Sequence, residues 1–232
     1  MNTQKNVFAL LSFFIGKIFP TLFILFYFVT FCPSLLAYPR TPADLIEISC
    51  GEEHPEAKKI LVAYDTTHGS TAHVAERIGR ELCSQGFQVD VRLAGNVTAI
   101  DAYDAVIIGS AIYQFNWLPD ALRFMNKNQS ILSDKPTAVF IVCSAMSEDT
   151  PENRASVKQS FVDPVLKKYP DIKPLTIGLF GGAVDFTRNE YTLFEKFVLR
   201  ILGKILGFKD KADWRNWDEI DSWATEVRDM VQ

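Results

Sequence analysis

Five short apolar runs alternate along this chain with segments that have the periodicity of amphipathic helices, and this alternation limits the fold more than any other feature. The runs are residues 59–64, 88–93, 105–109, 137–143 and 175–180. After the first run, Val74, Ala75, Ile78 and Leu82 recur at helical spacing. Strands that alternate with helices, without an internal repeat, indicate an α/β fold with a doubly wound parallel sheet.

The order of the strands follows from the handedness of their connections. Right-handed crossovers make 2-1-3-4-5 the commonest order for five parallel strands. We therefore expect a five-stranded parallel sheet in that order, with a ligand at the carboxyl ends of strands 1, 3 and 4. An apolar stripe formed by Ile220, Trp223, Ala224, Val227 and Val231 predicts a last helix that covers the sheet.

A long hydrophobic segment precedes the α/β pattern. Residues 7–36 contain no acidic residue, which an ordinary soluble fold does not tolerate over such a length. The segment is close to the ~20 residues that cross a bilayer, whereas the core of a signal peptide has about 7 to 15. The favoured interpretation is an N-terminal hydrophobic anchor helix; the alternative is a signal peptide cleaved near Ala37.

The domain organisation and the expected location follow from this segment. Residues 1–37 are the signal anchor or signal peptide, residues 38–57 form a linker without clear periodicity, and residues 58–232 form the α/β domain. An anchor places the protein at the inner, cytoplasmic membrane. The basic residues on the two flanks are nearly balanced, so either side of that membrane is open to the domain. With a cleaved segment, the domain is secreted or periplasmic.

The charge balance of the domain argues against nucleic acid as a partner. Residues 1–37 hold two of the 24 basic residues and no acid, so the remainder has 22 basic and 28 acidic residues, a net charge of −6. Proteins that bind nucleic acid use a basic surface to neutralise phosphates.

Cysteine spacing excludes two further classes of site. The chain contains Cys32, Cys50, Cys83 and Cys143. None belongs to a Cys-x-x-Cys pair, so we expect neither a zinc site nor a thioredoxin-like redox motif. We interpret Cys83, on a predicted helix, and Cys143, at the end of a predicted strand, as small buried hydrophobic residues.

A polar turn after the first strand is the strongest functional signal. The turn consists of Thr66, Thr67, His68, Gly69, Ser70 and Thr71, and it opens directly into a helix. Free amides at a helix start, the positive end of the helix dipole and several hydroxyl groups make a site for a phosphate dianion. Gly69 lets the backbone close around the anion. The alternative is an ordinary helix N-cap by Ser70 or Thr71.

Other proteins with this architecture need residues that the chain lacks. A response-regulator receiver requires clustered acids, but Asp65 stands alone after strand 1. A dinucleotide-binding Gly-x-Gly-x-x-Gly is absent after that strand, as is the Cys followed six residues later by Arg of a small tyrosine phosphatase.

Residues 59–232 resemble the flavodoxin-domain family that includes the menaquinone-dependent protoporphyrinogen dehydrogenase of bacteria. The resemblance is carried by the turn at residues 66–71, by residues 103–112 and 178–186, and by the step at residues 213–217 before the last helix. His68 separates the second threonine from Gly69, which resembles the quinone-linked branch of the family more than the small soluble carriers. The resemblance implies FMN as cofactor and a quinone as electron acceptor.

The resemblance also implies where the flavin ring lies. The loop after strand 3 would enclose the ring, and the loop after strand 4 would form a third wall. The implied residues are Ser110, Ala111, Ile112, Tyr113, Asn116 and Trp117 in the first loop and Ser144, Ala145 and Met146 in the second. Tyr113 or Trp117 is expected to stack on the ring and Asn116 to contact its edge, because a planar ring gains from aromatic faces. The alternative is that these aromatic residues pack on the following helix.

Catalytic residues are not identified by the sequence. His68 and His73 are the candidates for an acid or base, but His73 falls on the predicted helix and is expected to be solvated. Residues 189–206 show a broad apolar face with basic residues opposite, which suits either a helix lying on a membrane surface or an ordinary helix covering the sheet edge.

Two functional hypotheses are favoured, and a third stays open. The first is an FMN-dependent oxidoreductase that passes electrons from a reduced, protoporphyrinogen-like substrate to a membrane quinone. The second is a non-enzymatic electron carrier of the flavodoxin type that docks on a redox protein partner. The third is a structural relative that binds no flavin. The hydrophobic N-terminal segment favours the enzyme, since a carrier that shuttles between partners works better when it diffuses freely.

Overall fold

A computed structural model describes residues 45–53, 55–185 and 211–232 of the chain. The predicted anchor or signal segment, residues 1–37, and the predicted amphipathic helix, residues 189–206, lie outside the described residues. Within the described ranges, every helix is too short or too polar to cross a membrane.

The centre of the domain is a mixed β-sheet. The strands of this sheet are β1 (Ile48–Cys50), β2 (Lys59–Asp65), β3 (Gln88–Leu93), β4 (Ala105–Tyr113), β5 (Asn116–Trp117), β6 (Thr137–Cys143) and β7 (Ile177–Gly181). Two further strands, β8 (Ala183–Asp185) and β9 (Lys211–Asp213), form a small separate ribbon. The sheet order is β1-β3-β2-β4-β6-β7, with β5 paired to β4, while β8 and β9 form the ribbon. Strands β3, β2, β4, β6 and β7 are parallel to one another.

The helices connect these strands and cover both faces of the sheet. They are α1 (Ser70–Ser84), α2 (Pro119–Lys127), α3 (Gln129–Asp134), α4 (Pro151–Val157), α5 (Asp163–Leu166) and α6 (Trp217–Val231). A π-helical stretch, Lys158–Val162, joins α4 to α5, and short 3-10 turns lie at Ala94–Asn96 and Ser144–Ser147. The α/β class predicted from the alternation of elements is therefore confirmed.

Alternate residues of β2 enter two separate cores. Ile60, Val62 and Tyr64 pack with α1 and α6, whereas Leu61 and Ala63 pack with α2 and the α4–α5 segment. All five are 0% exposed, and burying a large aliphatic side chain contributes about 1.5–3 kcal/mol. A strand buried on both faces reads as a continuous apolar run, which is why β2 is evident in the sequence. The apolar stripe predicted for the last helix is buried as expected.

Strand β1 corrects the prediction of a wholly parallel sheet preceded by a linker at residues 38–57. It pairs antiparallel with the edge strand β3. The Tyr64 hydroxyl accepts a hydrogen bond from the Ile46 amide at 2.7 Å and donates one to the Ile46 carbonyl at 2.8 Å. Arg92 Nη1 donates to the Ile48 carbonyl at 2.6 Å. Three residues are too few to show a period of two, so only these tertiary partners reveal the strand.

The cysteines also differ from the prediction. Cys50 at the end of β1 and Cys83 in the last turn of α1 form a disulfide, with their Cα atoms 6.0 Å apart. Cys143 is the free cysteine of the described residues, and it is buried as predicted. The interpretation of Cys83 as a small hydrophobic residue was wrong, because its partner belongs to a strand that the sequence pattern did not reveal.

A charged cluster strengthens the junction of β1, β2 and β3. The Asp90 carboxylate is 6% exposed and accepts hydrogen bonds from Ser49 Oγ at 2.5 Å and from the Tyr103 hydroxyl at 2.9 Å. Lys59 Nζ and Arg92 Nη2 lie 2.9 and 2.7 Å from it. Burial raises the pKa of Asp90, but its four partners together hold that pKa below the ordinary value. Burial and the bond to Asp90 raise the pKa of Tyr103 to about 12.

Candidate functional site

The carboxyl ends of the parallel strands lie side by side at one edge of the sheet. Asp65 of β2 is in register with Ser110 of β4, and Cys143 of β6 is in register with Gly181 of β7. Because neighbouring strands are about 4.8 Å apart, the loops that follow these strands meet at this edge. All the residues predicted to bind a cofactor belong to three of those loops, to the strand ends that carry them, to the start of α1 or to the short strand β5.

The turn after β2 presents the start of α1 without a side-chain cap. Thr66 Oγ1 accepts a hydrogen bond from the Gly69 amide at 3.1 Å, which closes the turn on itself. Gly69 precedes the helix with φ of 82°, a left-handed conformation that glycine adopts without strain. Among the residues that the structure describes, no side-chain cap forms at the start of α1, where Gly69 takes the N-cap position, so the ordinary N-cap by Ser70 or Thr71 is not what the structure contains. These amides and the helix dipole favour an anion.

Thr71 carries a buried hydroxyl that has no hydrogen-bond partner among the described residues. The residue is 0% exposed, and its Oγ1 makes no hydrogen bond within the part of the chain that the structure describes. Leaving such a group unpaired costs about 1–3 kcal/mol. Thr67 in the same turn is also buried, at 5% exposure. A phosphate at this turn would satisfy the hydroxyl and the uncapped amides together, so these residues fit a phosphate-bearing cofactor.

Ser70 connects this turn to the loop after β7. Its Oγ accepts a hydrogen bond from the Ala183 amide at 2.9 Å. The Trp214 amide in turn donates to the Gly182 carbonyl at 2.9 Å, and a Cβ at Gly181 would overlap the Trp214 carbonyl. The glycines at this position therefore allow two backbone segments to approach closely. Ser70 has a structural partner that its place in the motif did not suggest.

The two histidines lie in different surroundings. The His68 ring is 6.2 Å from the Tyr113 ring, with an angle of 65° between their planes, so the phosphate turn contacts the loop after β4. The His73 side chain is 48% exposed and its Nδ1 lies 3.8 Å from Glu76 Oε2, which confirms the expectation of a solvated position. Only His68 belongs to the candidate site.

The loop after β4 forms a tight hairpin with β5. Gln114 and Phe115 are its two turn residues, with φ of 49° and 63°, values that non-glycine residues rarely adopt. Asn116 Nδ2 donates to the Gln114 carbonyl at 2.9 Å. Phe115 at the tip is 84% exposed, and the sequence analysis did not select it. A turn without Asn-Gly or Asp-Gly gives no local hairpin signal, so this residue was not recognisable beforehand.

Trp117 is not available for stacking, which corrects one of the two predictions for this loop. The residue is 2% exposed, and its Nε1 donates a hydrogen bond to the Phe161 carbonyl at 2.8 Å. It packs in the core as the alternative interpretation anticipated. Tyr113 is half-buried and lies beside the phosphate turn, so it is the candidate that remains for an aromatic face.

Ser110 has a structural role in the same loop. It is 0% exposed; its Oγ accepts from the Leu118 amide at 2.9 Å and donates to the Ala111 carbonyl at 2.8 Å. These bonds join the two ends of the loop. Ala111 and Ile112 are half-buried.

The loop after β6 divides into an exposed and a buried part. Ser144 and Ala145 are exposed, whereas Met146 is 3% exposed and belongs to the core. Met146 therefore does not present its side chain at the surface as a third wall would require. Burial raises the pKa of the adjacent Cys143 thiol, although backbone hydrogen bonds from Met146 and Ala145 act in the opposite direction.

Asp65 is a residue of this edge whose structural role the sequence analysis missed. It is 0% exposed at the end of β2, and its Oδ2 accepts hydrogen bonds from the amides of Asp120 at 2.8 Å and Ala121 at 3.3 Å. These amides belong to the first turn of α2, whose dipole favours a carboxylate. Asp65 thereby joins the turn after β2 to the helix after β5. The sequence feature that could have indicated this capping of α2 is a lone acidic residue at the end of a buried strand.

Comparison with known proteins identifies the family. The sequence profile described as flavodoxin domain matches residues 61–213, about two thirds of the chain. The chain belongs to the flavodoxin domain family. Membership of this family implies that the domain binds FMN, which agrees with the uncapped helix start and the unpaired hydroxyl at the turn after β2.

Individual proteins of known sequence or structure are also similar to this chain. Protoporphyrinogen IX dehydrogenase [quinone] of Leishmania major is 24% identical over 182 residues, which cover 74% of this chain and 75% of that protein. A flavodoxin of Nitratidesulfovibrio vulgaris is 37% identical over 57 residues, which cover 23% of this chain and 38% of that protein. Among solved structures, oxidised Flavodoxin 2 from Bacillus cereus has 17% identity and a TM-score of 0.46, covering 74% of this chain and 99% of that one.

Proposed function

We propose that this chain is an FMN-dependent oxidoreductase that passes electrons from a reduced, protoporphyrinogen-like substrate to a quinone. The observation that carries the proposal is the similarity to the Leishmania major dehydrogenase, which extends over 75% of that protein rather than over a single motif. The similarity to the flavodoxin is confined to 57 residues. An enzyme of this class needs a bound flavin, and the domain belongs to a flavin-binding family.

The residues of the carboxyl edge have distinct parts in this function. Thr66, Thr67, Gly69 and Thr71 would hold the phosphate of FMN through hydroxyl groups and helix amides. Tyr113 would offer an aromatic face to the flavin ring, and the exposed Ser144 and Ala145 would be the residues of the loop after β6 that can contact it. Bound FMN supplies the redox chemistry itself. The protein binds and orients it, so no side chain is assigned as an acid or base.

Membrane attachment belongs to the same proposal. The acid-free segment at residues 7–36 holds the domain at the membrane, where a lipid-soluble quinone is found. Residues 189–206 provide a second, amphipathic contact with the membrane surface. Membrane attachment supports this function, because it keeps the flavin beside an acceptor that does not leave the bilayer.

A flavodoxin-type electron carrier is the second candidate. It is favoured by the 37% identity to a flavodoxin over 57 residues and by the net charge of −6 of residues 38–232, since an acidic surface suits docking on a redox partner. Such a carrier exchanges electrons with a protein and turns over no small-molecule substrate.

A spectrum and a turnover assay separate these possibilities. The full-length chain is purified in detergent and saturated with FMN, and its visible spectrum is recorded before and after removal of free FMN. Absence of a bound flavin band refutes both candidates. With flavin bound, oxidation of protoporphyrinogen coupled to reduction of a menaquinone analogue is expected. Flavin binding without this turnover, together with electron exchange with a redox protein, would establish the carrier instead.

A further inference from the structure

The disulfide between Cys50 and Cys83 joins two elements that are far apart in sequence. Cys50 is the last residue of β1 at the edge of the sheet, and Cys83 lies in the last turn of α1, 33 residues later. Both residues are half-buried, so the bond lies close to the surface. It links the first described strand of the domain covalently to the helix that packs across the sheet.

The position of the disulfide separates it from the flavin chemistry. Helix α1 begins at Ser70, beside the phosphate turn, and Cys83 is near its other end. At 1.5 Å per residue, the 13 steps between them span about 20 Å. The pair therefore lies toward the amino edge of the parallel strands, whereas the candidate FMN site is at their carboxyl edge. It is not a redox partner of the cofactor.

The surroundings of the pair are those of a structural rather than a reactive disulfide. Reactive cysteines lie at helix N-termini or beside cations, which stabilise the thiolate. Cys83 lies at the C-terminal end of its helix, where the dipole disfavours negative charge. The exposed acids Glu52 and Glu53 follow Cys50 closely, and negative charge nearby disfavours a thiolate in the same way. Thiol–disulfide exchange releases one of the two sulfurs as a thiolate. Because these surroundings disfavour a thiolate at either cysteine, the bond resists exchange once it has formed.

We infer that Cys50 and Cys83 are joined by oxidation in the living cell, and that the flavodoxin domain therefore works in a compartment that oxidises thiols and not in a reducing cytosol. Stable structural disulfides form and persist in secreted, periplasmic and other oxidising locations, and are rare where glutathione and thioredoxin keep thiols reduced. This location does not depend on the proposed substrate, because it follows from the disulfide between β1 and α1 alone.

The oxidation balances as a thiol–disulfide exchange. The two thiols lose two protons and two electrons as the sulfur–sulfur bond forms. The oxidant is the active-site disulfide of a thiol oxidoreductase, which takes up the two electrons and two protons and becomes a dithiol. The reaction passes through a mixed disulfide between that enzyme and one of the two cysteines.

The remaining cysteine of the described residues suits the same environment. Cys143 is 6% exposed, and burial raises the pKa of its thiol. A buried thiol with little thiolate does not attack a neighbouring disulfide, so the native pairing does not scramble. The domain thus presents no reactive free thiol to an oxidising solvent within the part that the structure describes.

An oxidising compartment limits the substrates that the flavin can oxidise. A substrate that is made and kept in the cytosol does not reach such a domain. The reduced substrate must then be exported, membrane-soluble or generated on the oxidising side. A quinone fits either case, because it moves within the bilayer and can be reduced from both faces. The N-terminal hydrophobic segment would accordingly direct the domain across the membrane or hold it at the far side.

Counting thiols in the full-length chain tests the inference. Membranes from the native source are quenched in acid to trap the redox state, and the denatured chain is alkylated with a maleimide polymer that shifts its mass, with or without prior reduction. We expect reduction to add two labels, since only Cys50 and Cys83 are protected beforehand. Equal labelling with and without reduction would overturn the inference, because it would show both thiols free in the cell.

Two variants identify the residues involved. Cys50→Ser should leave Cys83 as a free thiol. Without reduction this variant should carry one label more than the unsubstituted chain, and adding reductant should not increase its labelling further. Cys143→Ser is the matched control; it loses one label under both conditions and keeps the difference of two. A Cys50→Ser chain that still gains two labels on reduction would show that the bond joins other cysteines, and would also overturn the inference. The flavin band of the same preparations reports separately on the proposed function.

Discussion

Replacing Thr71 by valine separates a ligand-binding role of its hydroxyl from a structural one. The hydroxyl is buried and has no partner among the described residues, so its removal leaves no protein group unsatisfied. Valine has nearly the same shape as threonine. The unpaired hydroxyl costs the FMN-free domain about 1–3 kcal/mol, and the variant should regain part of that stability. We therefore expect the midpoint of thermal unfolding without FMN to stay the same or to rise.

The FMN affinity of the same variant should change in the opposite direction. A hydrogen bond to a charged group contributes about 1.5–3 kcal/mol, so the loss of one to a phosphate dianion raises the dissociation constant about 10- to 150-fold. The affinity is measured by titrating FMN and following the loss of its free fluorescence. Thermal unfolding of the FMN-free chain is measured in the same buffer.

Thr66→Val is the control for this experiment. Thr66 Oγ1 accepts the Gly69 amide at 3.1 Å, so its loss leaves a backbone group unpaired and should lower the stability of the FMN-free domain as well as FMN binding. Unchanged FMN affinity in Thr71→Val would refute the assignment of the phosphate to this turn. A drop in the stability of the FMN-free form as large as that of Thr66→Val would show that the Thr71 hydroxyl has a structural partner.

Three further outcomes are expected. Reduction of the Cys50–Cys83 disulfide should lower the free energy of unfolding by about 3–4 kcal/mol on the loop-entropy estimate, measured by urea unfolding with and without reductant; an unchanged midpoint would contradict it. The pKa of Asp90 in the folded protein lies below its ordinary 3.8, so the contribution of this carboxylate to stability is present above that pH and is lost as the pH falls through the folded pKa. The urea midpoint of Asp90→Asn should therefore fall less than that of the unsubstituted chain between pH 5 and more acidic solutions, and an equal fall would contradict this. Phe115→Gly should raise the free energy of unfolding by about 1 kcal/mol, because glycine adopts a positive φ without strain, whereas Phe115→Ala should not; equal thermal midpoints for the two variants would contradict this.

The phosphate turn shows how far local pattern leads toward a site. The apolar run of β2, the hydroxyl-rich turn and the helical spacing after it are contiguous, so the sequence predicts both the turn and the helix that it opens. What the pattern left open was whether a side chain caps the helix. That depends on the rotamers chosen inside the folded turn, where Gly69 takes the capping position and Ser70 turns to the Ala183 amide.

The loop after β4 shows where pattern becomes insufficient. Tyr113 and Trp117 are both aromatic and four residues apart, and nothing local distinguishes them. The hairpin at Gln114 and Phe115 reverses the chain, and Trp117 then meets the Phe161 carbonyl, 44 residues away. Because burial is decided by what packs against a residue from elsewhere in the chain, the buried ring and the ring at the site could not be separated beforehand.

The sequence by itself determined the alternation of strands and helices, the doubly wound class and the phosphate turn, because each depends on residues that are neighbours along the chain. Only the tertiary structure decided that β1 joins the sheet edge, that Cys50 meets Cys83, that Asp65 caps α2 and that Trp117 is buried. Each of these contacts joins residues between about 30 and 60 positions apart. Such pairs leave no periodic signal, and they form only when the core has brought their elements together.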